Sequence, residues 1–173
     1  MKRKHYILPS AYCADALAKY HAARTATLAA RDALREKYGA DAISCRGSKG
    51  DALGFKLEPG PIKGVGAAVR EKGMYAVRPD HRTAAGKTLQ AELDHVAELQ
   101  DNWRWALERA LGVDGAALDP RLKGEWHHIN AVPVFDGRVA LSWPIEVKGI
   151  AVPDCAQEIT EVEYRVLTGA IEL

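Results

Sequence analysis

Cysteine is scarce in this chain of 173 residues: three, at positions 13, 45 and 155, all far apart. An odd count without close spacing supplies neither a disulfide framework nor the paired ligands of a zinc site, and it fits a reducing cytosol. No run of about 18 apolar residues occurs, which excludes a membrane-spanning helix. The basic start, Met1-Lys2-Arg3-Lys4-His5-Tyr6-Ile7-Leu8-Pro9, lacks the apolar stretch of a secretion signal. Phe and Met occur only twice each. There is no serine nucleophile elbow and no internal repeat. No motif implies a cofactor.

What is present is a division of charge. Residues 1–90 carry 17 Lys/Arg against 8 Asp/Glu, a net of +9; residues 91–173 carry 7 against 15, a net of −8. The near-neutral total of +1 hides this split. Such asymmetry points to an anionic partner for one half and a cationic or competing partner for the other, or to neutralisation of one half by the other. The length suits one domain, and an apolar share of 47% buries a core without staples. Abundant Ala and Arg resemble the composition of GC-rich bacteria and their phages.

Apolar spacing predicts a helix over 10–38, with Ser10 as a cap and Gly39 beyond its end. Its stripe reads Cys13, Leu17, Tyr20, Ala23, Thr27, Ala30, Leu34, Tyr38, and Lys19, Arg24, Arg31 and Arg35 lie off it. Residues 40–82 are glycine-rich and lose helical period. Residues 42–46, 52–57 and 74–77 read as strands, 47–50 as a hairpin loop, and 64–73 as a loop or one helical turn. A second, acidic helix is expected over 83–111, with Leu89, Leu93, Val96, Leu99, Trp103, Leu107 and Ala110 inward. Residues 127–147 read as a hairpin about a type I′ turn at Asp136-Gly137, with Pro133 pushing one arm to a sheet edge. A last helix is expected over 155–168, capped by Asp154 with Gln157 and ended by Gly169. The pattern is α+β: two long helices packed with a small antiparallel sheet, in a single domain of 173 residues.

Gly86-Lys87-Thr88 has the position of a phosphate loop, between a strand and a helix. The required earlier glycine is replaced by His81, so the expectation is that Thr83 caps the helix and Lys87 is solvated. A broader signal is the basic, glycine-interleaved stretch, whose best anion-binding residues are Lys63, Arg70, Lys72, Arg78, Arg82 and Lys87. On the acidic helix, Asp94, Glu98, Asp101, Trp105 and Glu108 step by four and three along one face, a candidate surface for a basic protein. The internal alternatives are stacking of Trp105 on Arg109, or docking of this face on the basic first helix. His127 and His128 are adjacent and point oppositely in a strand, so no metal is expected. His81 and His95 belong to no catalytic constellation.

The expected function is a small cytosolic, non-enzymatic binding protein that contacts a phosphate-bearing partner, nucleic acid or nucleotide. One alternative is an inhibitor or adaptor of the kind phages encode, binding protein through the acidic Trp105 face. Another is an enzyme acting on a nucleotide or nucleic acid near Arg78 to Lys87.

Overall fold

The structure, a computed structural model, describes residues 2–38, 60–62, 66–71, 74–114, 128–145, 147 and 149–171; the side chains at 35, 38 and 60–78 are outside the description. The elements run β1 (Arg3–Leu8), α1 (Ser10–Tyr38), β2 (Gly60–Ile62), β3 (Gly66–Glu71), β4 (Met74–Pro79), α2 (Ala84–Arg104), α3 (Ala106–Ala110), β5 (Asn130–Pro133), β6 (Val139–Pro144), β7 (Gln157–Ile159) and α4 (Glu161–Leu167). This is an α+β protein. It divides into two compact units, one of Met1–Ala23 with Trp103–Leu173, the other of Arg24–Asn102. No described helix is long and apolar enough to cross a membrane.

The first unit is built on an antiparallel sheet of order β5-β6-β1-β7. β1 pairs with β6 from Arg3↔Pro144 to Leu8↔Val139, and with β7 from His5↔Ile159 to Ile7↔Gln157. On one face Leu8, Val139, Leu141 and Trp143 meet Cys13, Ala16 and Leu17 of α1 and Leu107 of α3, with Leu111, Val113 and Ile129 completing the core. Leu8, Leu107, Ile129, Val139 and Leu141 are 1% exposed or less, and each contributes about 1.5–3 kcal/mol by leaving water. α4 packs on the opposite face, against β1 and β6.

β1 is absent from the sequence expectation, because its first residues are cationic and both its faces are covered. With both faces covered, inward and outward positions no longer alternate in polarity. The basic start of the chain is therefore a central strand. Among the described strands, the hairpin pairs with β1 and not with β2, β3 or β4.

The hairpin turn is also one residue longer than a type I′ turn. The Gly137 N–H donates to the Val134 carbonyl at 3.1 Å, and the Val134 N–H donates to the Arg138 carbonyl at 2.9 Å. The loop is thus Phe135-Asp136-Gly137, with Gly137 at φ +81° supplying the left-handed residue. Pro133 does lie on an edge strand. β7 forms where a helix was expected, so the last helix starts six residues late, at Glu161. Its capping box is Thr160 with Glu163 rather than Asp154 with Gln157. Gly169, at φ +71°, ends it as expected, with the Ala170 N–H on the Arg165 carbonyl.

The second unit holds the C-terminal part of α1, most of α2 and a sheet of order β2-β3-β4. α1 has the expected span. Its buried residues here are Thr27, Arg31 and Leu34, so Arg31 joins the inward row where Ala30 was expected. The Thr27 hydroxyl donates to the Leu99 carbonyl of α2 at 3.1 Å, and Lys37 Nζ meets Glu92 Oε1 at 2.5 Å. The basic and acidic helices therefore pair at least here. On α2, Leu89 and Val96 are buried and Leu93 and Leu99 half-buried, as their spacing requires. The expected 83–111 helix breaks at Trp105, which has ψ near 8°. β4 covers the expected 74–77. β3 is a strand where a loop or helical turn was expected, because pairing on both sides overrides the weak helix preference of Ala67 to Glu71. The expected strands 42–46 and 52–57 and the loop 47–50 lie outside the described residues.

Candidate functional site

The connection from β4 into α2 holds the described part of the expected anion-binding segment. The Thr83 N–H and hydroxyl both donate to the Asp80 carbonyl, at 3.0 and 3.1 Å. The same hydroxyl accepts from the Gly86 N–H at 2.9 Å, so Thr83 caps α2. Gly86 is glycine for lack of space: a Cβ there would lie 2.0 Å from the Asp80 carbonyl oxygen. The Thr88 hydroxyl donates to the Ala84 carbonyl. The Gly86 amide and the Thr88 hydroxyl, which a phosphate loop would offer to its ligand, are thus engaged within the turn and the helix.

Around this turn the charges are exposed. The Asp80 carboxylate accepts from the Arg82 backbone N–H, Nε and Nη2 at 2.9–3.1 Å. Those bonds hold the Asp80 carboxyl below its usual range and push the Arg82 guanidinium up. The Arg82 side chain remains 89% exposed. His81 and Lys87 are exposed too. Lys63 and Lys72 lie outside the described residues, and Arg70 and Arg78 are described by backbone alone. Arg70 stands opposite Tyr75 and Arg78 opposite Ala67. Arg78, Arg82 and Lys87 follow one another along the path from β4 into α2.

The acidic row is distributed differently. Asp94, Glu98 and Asp101 are exposed on α2 in the second unit. In the first unit, Trp105 is half-buried: its ring lies 5.0 Å from the His128 ring, with the Arg104 guanidinium 4.8 Å from its centroid. Its cationic neighbour is Arg104 rather than Arg109, which pairs with Asp114 at 3.4 Å. Glu108 is only 5% exposed and accepts the Ala131 N–H of edge strand β5 at 2.9 Å. Burial pushes the Glu108 carboxyl above its usual range. Glu108 therefore closes a sheet edge, and Pro133 removes another donor from the same strand.

Sequence reasoning missed a polar cluster on the α4 face of the first unit's sheet. Arg3 Nε donates to the Ser142 Oγ at 2.7 Å, and Arg3 Nη2 donates to the Ser142 and His128 carbonyls. The Ser142 hydroxyl reaches the Tyr164 phenol, whose pKa is raised by burial. Tyr164 stacks on His5 with ring centroids 4.4 Å apart and planes at 29°. Only β1 as a strand brings Arg3 and His5 to one face, so the cluster had no signal without that strand.

Elsewhere in the first unit, an open groove of about 470 Å³ is lined by Tyr12, Leu111, Val113, Val152, Pro153 and Cys155. Cys155 is an exposed thiol at its rim; Cys13 is buried, which pushes its thiol up. Among the described residues no three His, Cys, Asp or Glu gather as metal ligands. His127 lies outside the description. No family model, no curated protein and no solved structure matches the chain.

Proposed function

We propose that this chain is a cytosolic, non-enzymatic binding protein that holds the phosphate backbone of a nucleic acid through the basic stretch running from β3 into α2. One observation carries the choice of nucleic acid over nucleotide. The turn before α2 uses its own amide and hydroxyl groups, through Thr83, Gly86 and Thr88, and leaves Arg82 and Lys87 on an exposed surface. A mononucleotide needs converging donors in a concave site. An extended polyanion needs only exposed cations along a path, with glycines to admit the backbone. The Asp80–Arg82 pair is compatible with this reading, because an exposed pair contributes little and exchanges readily for a phosphate.

The two other readings draw less support. A protein-binding inhibitor or adaptor needs Trp105 and Glu108 at the surface, whereas one is half-buried and the other accepts a strand amide. An enzyme near Arg78 to Lys87 needs a pocket that joins His81, Arg82 and Lys87 to a carboxylate, whereas these three positions include exposed side chains at 81, 82 and 87 and the adjacent carboxylate is held by Arg82.

The test is a salt titration of binding to duplex DNA, RNA and a panel of nucleotides. Binding to a polynucleotide that weakens steeply with salt, and exceeds binding to any mononucleotide, is expected. No salt-sensitive binding at low ionic strength would overturn the reading.

A further inference from the structure

We propose that His5 makes the β7–α4 segment a latch on the first unit's sheet, closed while the imidazole is neutral and loosened when it is protonated. The inference concerns a different part of the chain from the nucleic-acid reading and does not depend on it.

His5 is 9% exposed, and its Nδ1 is buried without a hydrogen-bond partner. A buried ring nitrogen with no acceptor beside it tolerates the neutral ring and penalises the cation, which must donate from both nitrogens. The groups facing the ring come from every neighbouring element. On β1, Arg3 is two residues away on the same face. Ser142 of β6 and Ile159 of β7 stand directly opposite His5. On α4, Tyr164 covers the ring and the Glu161 carboxylate attracts its cation. Glu163 is turned into the capping box with Thr160. Loss of solvent is the largest influence on His5, Arg3 adds to it and Glu161 only opposes it, so the ring titrates below the ordinary histidine value.

The segment above the ring is lightly held. β7 is three residues long at the sheet edge, and no residue of α4 is fully buried. The Lys4–Glu158 pair that also ties β7 to β1 is exposed. A folded-state pKa below the unfolded one means stability is complete above the unfolded value of about 6.5 and is lost as pH falls through it towards the lowered value. That loss falls first on the segment whose release rehydrates His5, and release also uncovers Arg3, Ser142 and the edge of β1.

The test is amide hydrogen exchange on the full chain from pH 8 to pH 5, read as protection factors. Between pH 6.5 and the His5 pKa, protection in residues 157–167 is expected to fall by up to tenfold per pH unit, the limit for one proton. Protection in β6 should hold. In His5→Phe, which keeps the stack on Tyr164, residues 157–167 should lose this pH dependence. Equal pH dependence in His5→Phe, or parallel loss in β6, would overturn the latch. Should His5→Phe not fold, the NMR titration of the His5 ring in the native chain decides. A pKa below 6.5 supports the latch, and one at or above it refutes it.

Discussion

Gly86 occupies a helical position where alanine would ordinarily stabilise by about 1 kcal/mol. Here the sign should reverse, because the new Cβ would strike the Asp80 backbone, which cannot rotate away as a side-chain tip would. Gly86→Ala is expected to destabilise the chain by about 2 kcal/mol or more in urea denaturation, an overpacking loss. Glu108 poses the opposite question. Its carboxyl is pushed up by burial, so the ionised form weighs against the fold: stability falls as pH rises from the ordinary carboxylate range to the raised value, then levels. Glu108→Gln keeps the acceptor for the Ala131 N–H and removes that pH dependence. It should be as stable as the native chain, or more so, at pH 7. Glu108→Ala strands the strand amide and should lose about 1–3 kcal/mol. Equilibrium unfolding of the three proteins at pH 4 and pH 7 measures both effects. Neither role was readable beforehand. Glu108 shares helical spacing with solvated acids, and Arg31, placed off the expected stripe, is buried because position 31 follows 27 and precedes 34 on the same face.

At the scale of elements, spacing of three and four was sufficient for α1, whose bounds match, and for the inward row of α2. It failed where burial is two-sided or the element is short. β1 has covered faces and cationic ends, and β7 has three residues, two of them polar. In each case pairing with a neighbour, rather than local preference, makes the strand. The capping motif near the C-terminus was expected in kind but placed six residues early, since Asp154/Gln157 and Thr160/Glu163 both satisfy the three-residue spacing. The box that forms caps the helix whose Tyr164 stacks on His5. Thr160→Ala should remove about 1 kcal/mol of cap stabilisation from α4. Hydrogen exchange should show about fivefold less protection in residues 161–167 and none of that loss in β6. Equal loss in both would mean that α4 opens only with the whole sheet.

At the scale of the molecule, the divided charge has two components. Part of it is neutralised internally, as the Lys37–Glu92 pair between α1 and α2 shows. Another part, along the path of Arg78, Arg82 and Lys87, includes exposed cations at a turn whose amides are already engaged. The sequence pattern pointed to this stretch through its glycines and charges. It could not show that Gly86 serves the close approach of Asp80, because that depends on a backbone contact six residues away. In the proposed complex this path neutralises nucleic-acid phosphates. The decisive measurement is the slope of log K against log salt for duplex DNA, compared between the native chain and Arg78→Gln/Arg82→Gln/Lys87→Gln. Each lost phosphate contact lowers the slope by about 0.9, so the triple variant should bind more weakly with a slope smaller by about 2–3. An unchanged slope and affinity in a folded triple variant would mean that this path holds no phosphate.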